Sequence, residues 1–453
     1  MTTKGNPRGL ALDTLIKVGA GQYANLTLDG VLRRADMIES DRHLYTVLVY
    51  GTLERLTTLD FLIEQLSERT DVEEEVRWIL RLGLYQLGFL DRVPDHAAIN
   101  ETVDLAPRRA KGFVNALLRT YTRQMAGQGR PVTPSEWVER FPVLAHDPLK
   151  ACSVAYALPV ALCEKMQAAF GECAEAVMAA FLEKPPMAIR CNTLKNSPDE
   201  LAARLTSEGC TVTGGRYLPD ALLVTAGNPL AGQAFAEGCF FVQDEASQIC
   251  VRVLGAEPDE RMADTCACPG SKTFGSAVRM ENRGEIRAFD LHKSKLSLIE
   301  SGAARLGVSV VQTEERDART PDAALLGTMD RVLCDVPCSG LGVIAKKPEI
   351  RHKDLSACDR LPAIQAAILE ASSRYVKVGG TLVYSTCTWA DEENGQVVNC
   401  FLKAHSEFEA EEFTIPALRD GYAAIVSENG QVTLTPDRHG TDGFFVARMK
   451  RVK

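Results

Sequence analysis

The chain has 453 residues, 45% of them hydrophobic and 25% charged, with a formal net charge of −9. That length exceeds one ordinary core, so two or three domains are expected; the acidic balance disfavours a general nucleic-acid binder but leaves room for a local basic face. No apolar run reaches the ~18 residues of a membrane span, and Met1-Thr2-Thr3-Lys4-Gly5-Asn6 lacks the apolar centre of an export signal, so a cytoplasmic protein with reduced thiols and no membrane partner is expected.

The 14 cysteines form no paired Cys-x-x-Cys sets, and no metal centre is expected. All of them lie at or beyond Cys152, which sets the N-terminal part apart from the rest. Cys152, Cys163, Cys173, Cys250 and Cys400 read as buried filler.

Residues 7–126 read as helical throughout. Apolar positions recur at helical spacing in Leu12, Leu15, Ile16 and in Leu28, Val31, Leu32, and Asp41 precedes a periodic run through Leu44, Val47 and Leu48. Residues 76–87 are apolar on most sides, which predicts the central buried helix. Further helices are predicted from Asp95 and over 112–122. Arg108, Arg109, Lys111, Arg119 and Arg123 read as a solvated charged surface. Arg8-Gly9-Leu10-Ala11, Val49-Tyr50-Gly51-Thr52-Leu53, Leu80-Arg81-Leu82-Gly83-Leu84, Asp95-His96-Ala97-Ala98-Ile99-Asn100-Glu101 and Gly112-Phe113-Val114-Asn115-Ala116-Leu117 resemble antitermination factors of the NusB type. That family is a small helical RNA-binding module, so the resemblance implies one here; composition alone gives only a helical domain.

Turn-rich residues 127–134 read as a linker. Helical segments are predicted around 149–157 and 160–183, and Pro185-Pro186 breaks the pattern. A strand at 188–192, a helix at 198–208 and a strand at 222–225 predict a small α+β subdomain. It resembles the RRM-like RNA-positioning extension that precedes the catalytic core of RNA cytosine-5 methyltransferases. From residue 240 strands and helices alternate, with strands predicted at 261–266, 284–289, 308–312, 330–334 and 380–385 and helices at 293–306 and 361–376. This alternation predicts a mostly parallel, doubly wound Rossmann-like sheet. The expected architecture is therefore multidomain: an all-α domain over 1–130, a helical linker with an α+β subdomain over 131–239, and an α/β domain over 240–453.

Three loops at predicted strand ends carry the chemistry, where open α/β sheets place their ligand crevice. Asp264-Thr265-Cys266-Ala267-Cys268-Pro269-Gly270-Ser271-Lys272-Thr273 permits close backbone approach to a ligand but matches no phosphate-loop spacing. Asp290 ends the next strand and suits either a ribose diol or a helix cap. Asp317, taken alone, is an exposed acid. The ordered series of this loop with Asp290, Asp317 and Asp335 is more specific than any member, and matches the S-adenosylmethionine site of class I methyltransferases.

The third feature is a pair of thiols, Cys338 in Asp335-Val336-Pro337-Cys338-Ser339-Gly340 and Cys387 in Tyr384-Ser385-Thr386-Cys387-Thr388. Cytosine C5 is a poor nucleophile until a thiolate adds to C6, which is covalent catalysis by an activated cysteine. Spacing alone lets either thiol play that part. These motifs, with Arg190-Cys191-Asn192, Gln243-Asp244-Glu245-Ala246-Ser247 and Asp442-Gly443-Phe444-Phe445, closely resemble the RNA 5-methylcytosine methyltransferases, in particular those of bacterial 16S ribosomal RNA that carry a NusB-like domain. The resemblance spans nearly the whole chain. It implies a cofactor site of Cys266, Ala267, Cys268, Pro269, Gly270, Ser271, Lys272, Asp290, Asp317 and Asp335, with Cys387 as nucleophile, Cys338 as release thiol and Asp335 holding the base. It also implies a single-stranded or loop cytosine of 16S ribosomal RNA as substrate, S-adenosylmethionine as cofactor and a monomer, with no DNA partner. The family usually has Ala at position 268, Gly at 271 and Ala at 336; Ser271 adds a side chain to the cofactor loop, with reduced cofactor affinity as the expected effect. Two alternatives stand beside this reading: an RNA-binding protein with a degenerate methyltransferase scaffold, and a DNA cytosine methyltransferase, whose nucleophile would be the Pro-Cys thiol.

Overall fold

The computed structural model describes residues 6–67, 69, 71–126 and 128–453. Residues 1–5, most of the stretch read for an export signal, together with 68, 70 and the first linker residue, Gly127, lie outside the described residues. The chain divides into two compact units, one running to Glu183 and including Ile344–Lys353, the other made of Lys184–Val343 and Asp354–Lys453.

In the first unit the predicted helical stretch forms Pro7–Gly19, Ala24–Arg34, Glu39–Glu54, Leu56–Leu66, Glu74–Phe89, Asp95–Leu105 and Lys111–Met125. Glu74–Phe89 is the buried helix expected at the centre, with Ile79, Leu80, Leu82 and Leu84 fully enclosed. Two of its polar side chains, Arg81 and Gln86, are buried as well and are partnered, as burial requires. Arg81 makes a bidentate pair with Asp60 at 2.8 and 2.9 Å, and Gln86 accepts from Arg8 Nε at 2.7 Å. Gly51 and Gly83 are glycines because neighbours occupy the place of a side chain: a Cβ would overlap the Tyr85 ring at one and crowd Thr102 and Leu118 at the other.

The end of the predicted linker is instead a helix start. Thr133 and Glu136 form a reciprocal capping box and Pro134 fills the first turn of Pro134–Arg140, where its missing N–H is harmless. Pro148–Tyr156, Val160–Phe170 and Ala174–Ala180 follow. The returning segment Ile344–Lys353 is anchored here by Arg351, which is 1% exposed and donates to the Phe181 carbonyl at 2.7 Å.

The second unit holds two sheets. The smaller is built from β1 (Met187–Cys191), β2 (Thr211–Gly214), β3 (Ala221–Ala226) and β4 (Phe240–Val242), antiparallel in the order β2-β3-β1-β4. It therefore takes in a strand beyond the 239/240 junction expected from sequence. The larger contains β5 (Arg261–Asp264), β6 (Glu285–Asp290), β7 (Val311–Glu315), β8 (Met329–Asp335), β9 (Val376–Thr386) and β10 (Phe408–Ala410). A hairpin of β11 (Thr414–Ile415) and β12 (Ile425–Val426) stands apart, and β13 (Gln431–Leu434) and β14 (Phe444–Arg451) complete the set.

The large sheet runs β10-β14-β9-β8-β5-β6-β7, with β13 also pairing β14. β5 to β9 are mutually parallel, as the alternating pattern predicts; β5 and β9 are largely buried, whereas the edge strand β7 has no buried residue. β14 adds antiparallel to β9, so the sheet is mixed. Some details differ from expectation. β7 begins at Val311 rather than 308, because Gly307 turns left-handed and the Val308 amide closes the helix Lys293–Leu306 on Ala303. The last long helix stops at Ser373, and Val376 already belongs to β9. Cys400 is exposed, since Gly395–Ala404 turns Val397, Val398 and Phe401 inward and leaves Cys400 on the outer face.

Replacing Gly51 by alanine should overpack the contact with Tyr85 and cost about 1–3 kcal/mol. Hydrogen exchange across Glu74–Phe89 should quicken in Gly51→Ala, and unchanged protection there would contradict the packing described.

Candidate active site

The carboxyl ends of the parallel strands share one edge, and the residues singled out in the sequence lie along it. Asp264 ends β5, Asp290 ends β6 and Asp335 ends β8, with Asp335 in register with Ser385 of β9. The loop 266–272 follows β5, and the Ala267 amide donates to the Phe289 carbonyl of β6 at 2.8 Å. Gly270 has φ 106°, and a Cβ there would overlap Phe274. Ser271 begins the helix Ser271–Arg279, and its carbonyl accepts from Gln243 Nε2 at 3.0 Å, so the Gln243–Ser247 motif braces this loop.

Lys272 and Asp335 form the electrostatic centre. Lys272 Nζ lies 2.6 Å from Asp335 Oδ2, and Ser385 Oγ donates to Asp335 Oδ1 at 2.8 Å. Burial works against the ammonium, yet the charge and hydrogen bond of Asp335 outweigh it and hold Lys272 protonated above the usual lysine range. The same ammonium sits 5.2 Å from the centre of the Phe444 ring, which brings in β14 and the Asp442–Phe445 motif. Gly443 donates to the Gly342 carbonyl at 2.8 Å, and a side chain at Gly342 would overlap that backbone.

Asp264 is an acid that sequence reasoning placed only as the start of the loop. It is 1% exposed, accepts from Thr273 Oγ1 at 2.7 Å, and its Oδ1 has no partner. Burial pushes its pKa up to about 7; the Thr273 bond opposes this and the charge of Asp335 adds to it. Asp290 accepts the His292 amide at 2.9 Å, so it also opens the turn into the following helix. Asp317 reaches the same side two residues past β7, but its carboxylate closes on Arg319, 2.6 Å from Nη2, which holds it below the usual carboxylate range.

Cys338 and Cys387 lie just past the ends of the adjacent strands β8 and β9, and their sulfurs are 3.2 Å apart. The hydrogen bond between them, then burial, hold the Cys338 thiol well above the usual cysteine range. The two loops are cross-braced: the Gly342 amide donates to the Cys387 carbonyl at 2.9 Å and Ser339 Oγ to Thr388 Oγ1 at 2.9 Å. Two residues the sequence did not reveal complete the brace. Glu393, in an acidic run that reads as solvated surface, is 2% exposed, and Gln365 is fully buried.

Parallel central strands with a small-residue loop after β5, an acid at the end of β6 and a charged pair at the end of β8 are the arrangement of an S-adenosylmethionine-dependent methyltransferase. Comparison with known proteins agrees. Residues 251–450 match the family model 16S rRNA methyltransferase RsmB/F, residues 5–123 the NusB family and residues 158–231 the RsmF/B-like ferredoxin-like domain. The chain is 35% identical to the probable ribosomal RNA small subunit methyltransferase B of Bacillus subtilis over 99% of both chains. It is 34% identical to ribosomal RNA small subunit methyltransferase B of Thermus thermophilus over 99% of this chain and 98% of that one. Among solved structures, PH0851 superposes with a TM-score of 0.77 at 25% identity, covering 98% of this chain and 99% of that one. NSun6 from Pyrococcus horikoshii, solved with the S-adenosylmethionine analogue SFG, gives 0.59 at 26% identity over 66% of this chain and 99% of that one. The chain belongs to the 16S rRNA methyltransferase RsmB/F family.

The raised pKa of Asp264 has a thermodynamic consequence. Its stabilising contribution is full below the unfolded value of about 4 and is lost as pH rises through about 7. Asp264→Asn should flatten the pH dependence of the urea midpoint between these values; an unchanged profile would refute the burial of a titrating group.

Proposed function

We propose that the protein transfers a methyl group from S-adenosylmethionine to C5 of a cytosine in small-subunit ribosomal RNA, through a covalent bond between Cys387 and C6. The observation that supports this most is the pair of sulfurs 3.2 Å apart beside Asp335. A structural role for two loop thiols in contact explains neither their position at the strand ends nor the charged pair next to them.

The residues present fit the cofactor: the loop 266–272 follows β5 at the strand ends, and Asp290 ends the neighbouring β6 with a carboxylate that can accept from a ribose diol. When bound, S-adenosylmethionine supplies a methyl group on a sulfonium. Lys272 and Ser385 hold the Asp335 carboxylate still, so that Asp335 orients the base through its amine edge. Two thiols in contact cannot both ionise readily, so one proton remains between them. Lys272 is a cation whose charge reaches Cys387, which favours Cys387 as the thiolate and Cys338 as its S–H donor. The Cys387 thiolate adds to C6, and C5 then takes the methyl group. Once Cys387 is bonded to C6 it no longer carries charge or accepts the Cys338 proton. The main cause that kept Cys338 protonated is gone, so Cys338 gives its proton to solvent and, as a thiolate, removes the C5 proton; the C–H electron pair re-forms the C5–C6 double bond while the C6–S bond breaks and Cys387 leaves as thiolate.

A base in structured RNA has to leave its stack to reach this edge. The helical unit supplies RNA affinity in this reading. Arg109 and Lys111 are paired with Glu73 and Asp104, while Arg108, Arg119 and Arg123 are exposed and suited to phosphate.

Asp290→Ala should weaken S-adenosylmethionine binding by about 1.5–3 kcal/mol, the worth of hydrogen bonds to a charged acceptor; calorimetry that finds wild-type affinity would place the ribose elsewhere. The two thiols should also differ. Cys387→Ala should abolish methylation with no covalent RNA complex, whereas Cys338→Ala should methylate but accumulate a denaturation-resistant protein–RNA species on a gel. The reverse pattern would exchange the roles and favour the Pro-Cys nucleophile.

A further inference from the structure

The contact between the thiols is symmetric in itself, so what makes them unequal has to come from their surroundings. On the side of Cys338 stands a buried pair that the mechanism above does not use. Glu393 Oε2 accepts the Ser339 amide at 2.9 Å and Gln365 Nε2 at 2.9 Å, and the same Gln365 Nε2 donates to the Pro337 carbonyl at 3.0 Å. These are the peptide groups immediately before and after Cys338, so the pair grips the thiol's backbone from both sides. Glu393 is in turn fixed by its own carbonyl, which accepts from the Tyr384 hydroxyl of β9 at 2.5 Å, and by Asn394, whose side chain bonds Thr386 and the Thr388 carbonyl at 2.6 and 3.0 Å.

We propose that Glu393 is a positioning residue for the thiol pair: with Gln365 it fixes the Cys338 loop by the two flanking peptide groups and sets a negative charge on that side, so that the reactive thiolate is Cys387. A carboxylate in a water-poor site opposes a second negative charge nearby far more than it would in solvent. The groups facing Cys338 are Cys387, Glu393 and Tyr384, with Cys334 beneath Tyr384. Lys272, paired with Asp335, is a cation whose charge reaches Cys387. The carboxylate of Glu393 therefore opposes ionisation on one side of the pair while the ammonium favours it on the other. The inference rests on Cys387 being the nucleophile, but its test needs neither RNA nor cofactor.

The test measures the pH midpoint of Cys338 alkylation by iodoacetamide, followed by mass spectrometry, in full-length protein carrying Cys387→Ser so that the coupled thiol is absent. Adding Glu393→Gln, which keeps size but removes charge, should lower that midpoint by about one pH unit, a tenfold easier ionisation. Glu393→Asp should bring it back toward the parent value. Gln365→Leu, which strips one N–H from the carboxylate, should move it upward. These opposite signs separate the charge from simple loosening of the loop, which would quicken alkylation at every pH without ordering the midpoints. A folded Glu393→Gln protein with an unmoved midpoint overturns the proposal and leaves the assignment of Cys387 untouched. Should that variant fail to fold, the Gln365→Leu protein decides alone: a raised midpoint supports the proposal, and a lowered or unchanged one overturns it.

Discussion

Two sulfurs 3.2 Å apart past the ends of neighbouring strands cannot both ionise readily, and much of the surrounding structure can be understood as managing that constraint. In the proposed mechanism a thiolate there needs a nearby cation and a partner that keeps its own proton. Lys272 provides the cation only because Asp335 holds it charged against burial. Asp335 is in turn held by Ser385, one strand away. The site is thus a chain of paired groups running from the loop after β5 to the ends of β8 and β9, in which no charge stands alone.

The parallel strands explain why these groups meet. β8, β5 and β6 are neighbours in the sheet although β8 comes last in sequence, so the loop 266–272, Asp290 and Asp335 share an edge through strand order and not through chain proximity. β14 extends the same logic. It pairs antiparallel with β9 and delivers Phe444 beneath Lys272 and the Gly443 backbone against Gly342. A motif late in the chain therefore packs against groups encoded far earlier, Lys272 and Gly342. The absence of a side chain at Gly342 is what allows that approach.

The helical unit shows the same economy in a different setting. Its central helix is legible as apolar, yet it also buries Arg81 and Gln86, and each is matched by a partner from another helix. Those partners, Asp60 and Arg8, are ordinary surface-type residues in the sequence. Burial of a charged side chain is tolerable only when its partner is supplied with good geometry, and that geometry is a property of packed helices. The same holds for Arg351, whose donors turn to carbonyls of this unit although the residue lies far along the chain.

Local signals were sufficient for much of this protein. The helical period of residues 7–126, the strand–helix alternation after residue 240, the loop 266–272 and the thiols Cys338 and Cys387 are all visible in the chain, because period, turn residues and strand-end chemistry act over a few neighbours. The resemblance to known families rested on those same short stretches. What required the tertiary structure is whatever depends on which strand lies beside which. β14 carries a strand pattern no stronger than its neighbours, and only pairing with β9 makes it part of the central sheet. Asp264 differs from Asp290 in no local feature, but one is enclosed and the other stands at the rim. Glu393 sits in an Asp-Glu-Glu run that by composition belongs in solvent; its burial follows from the turn that points it at the Cys338 loop, where the Ser339 amide and Gln365 receive it. Sequence determines which groups are available for chemistry, because reactivity begins with residue type. Packing decides which of them are desolvated, paired or charged, because those properties belong to the space between residues distant in the chain.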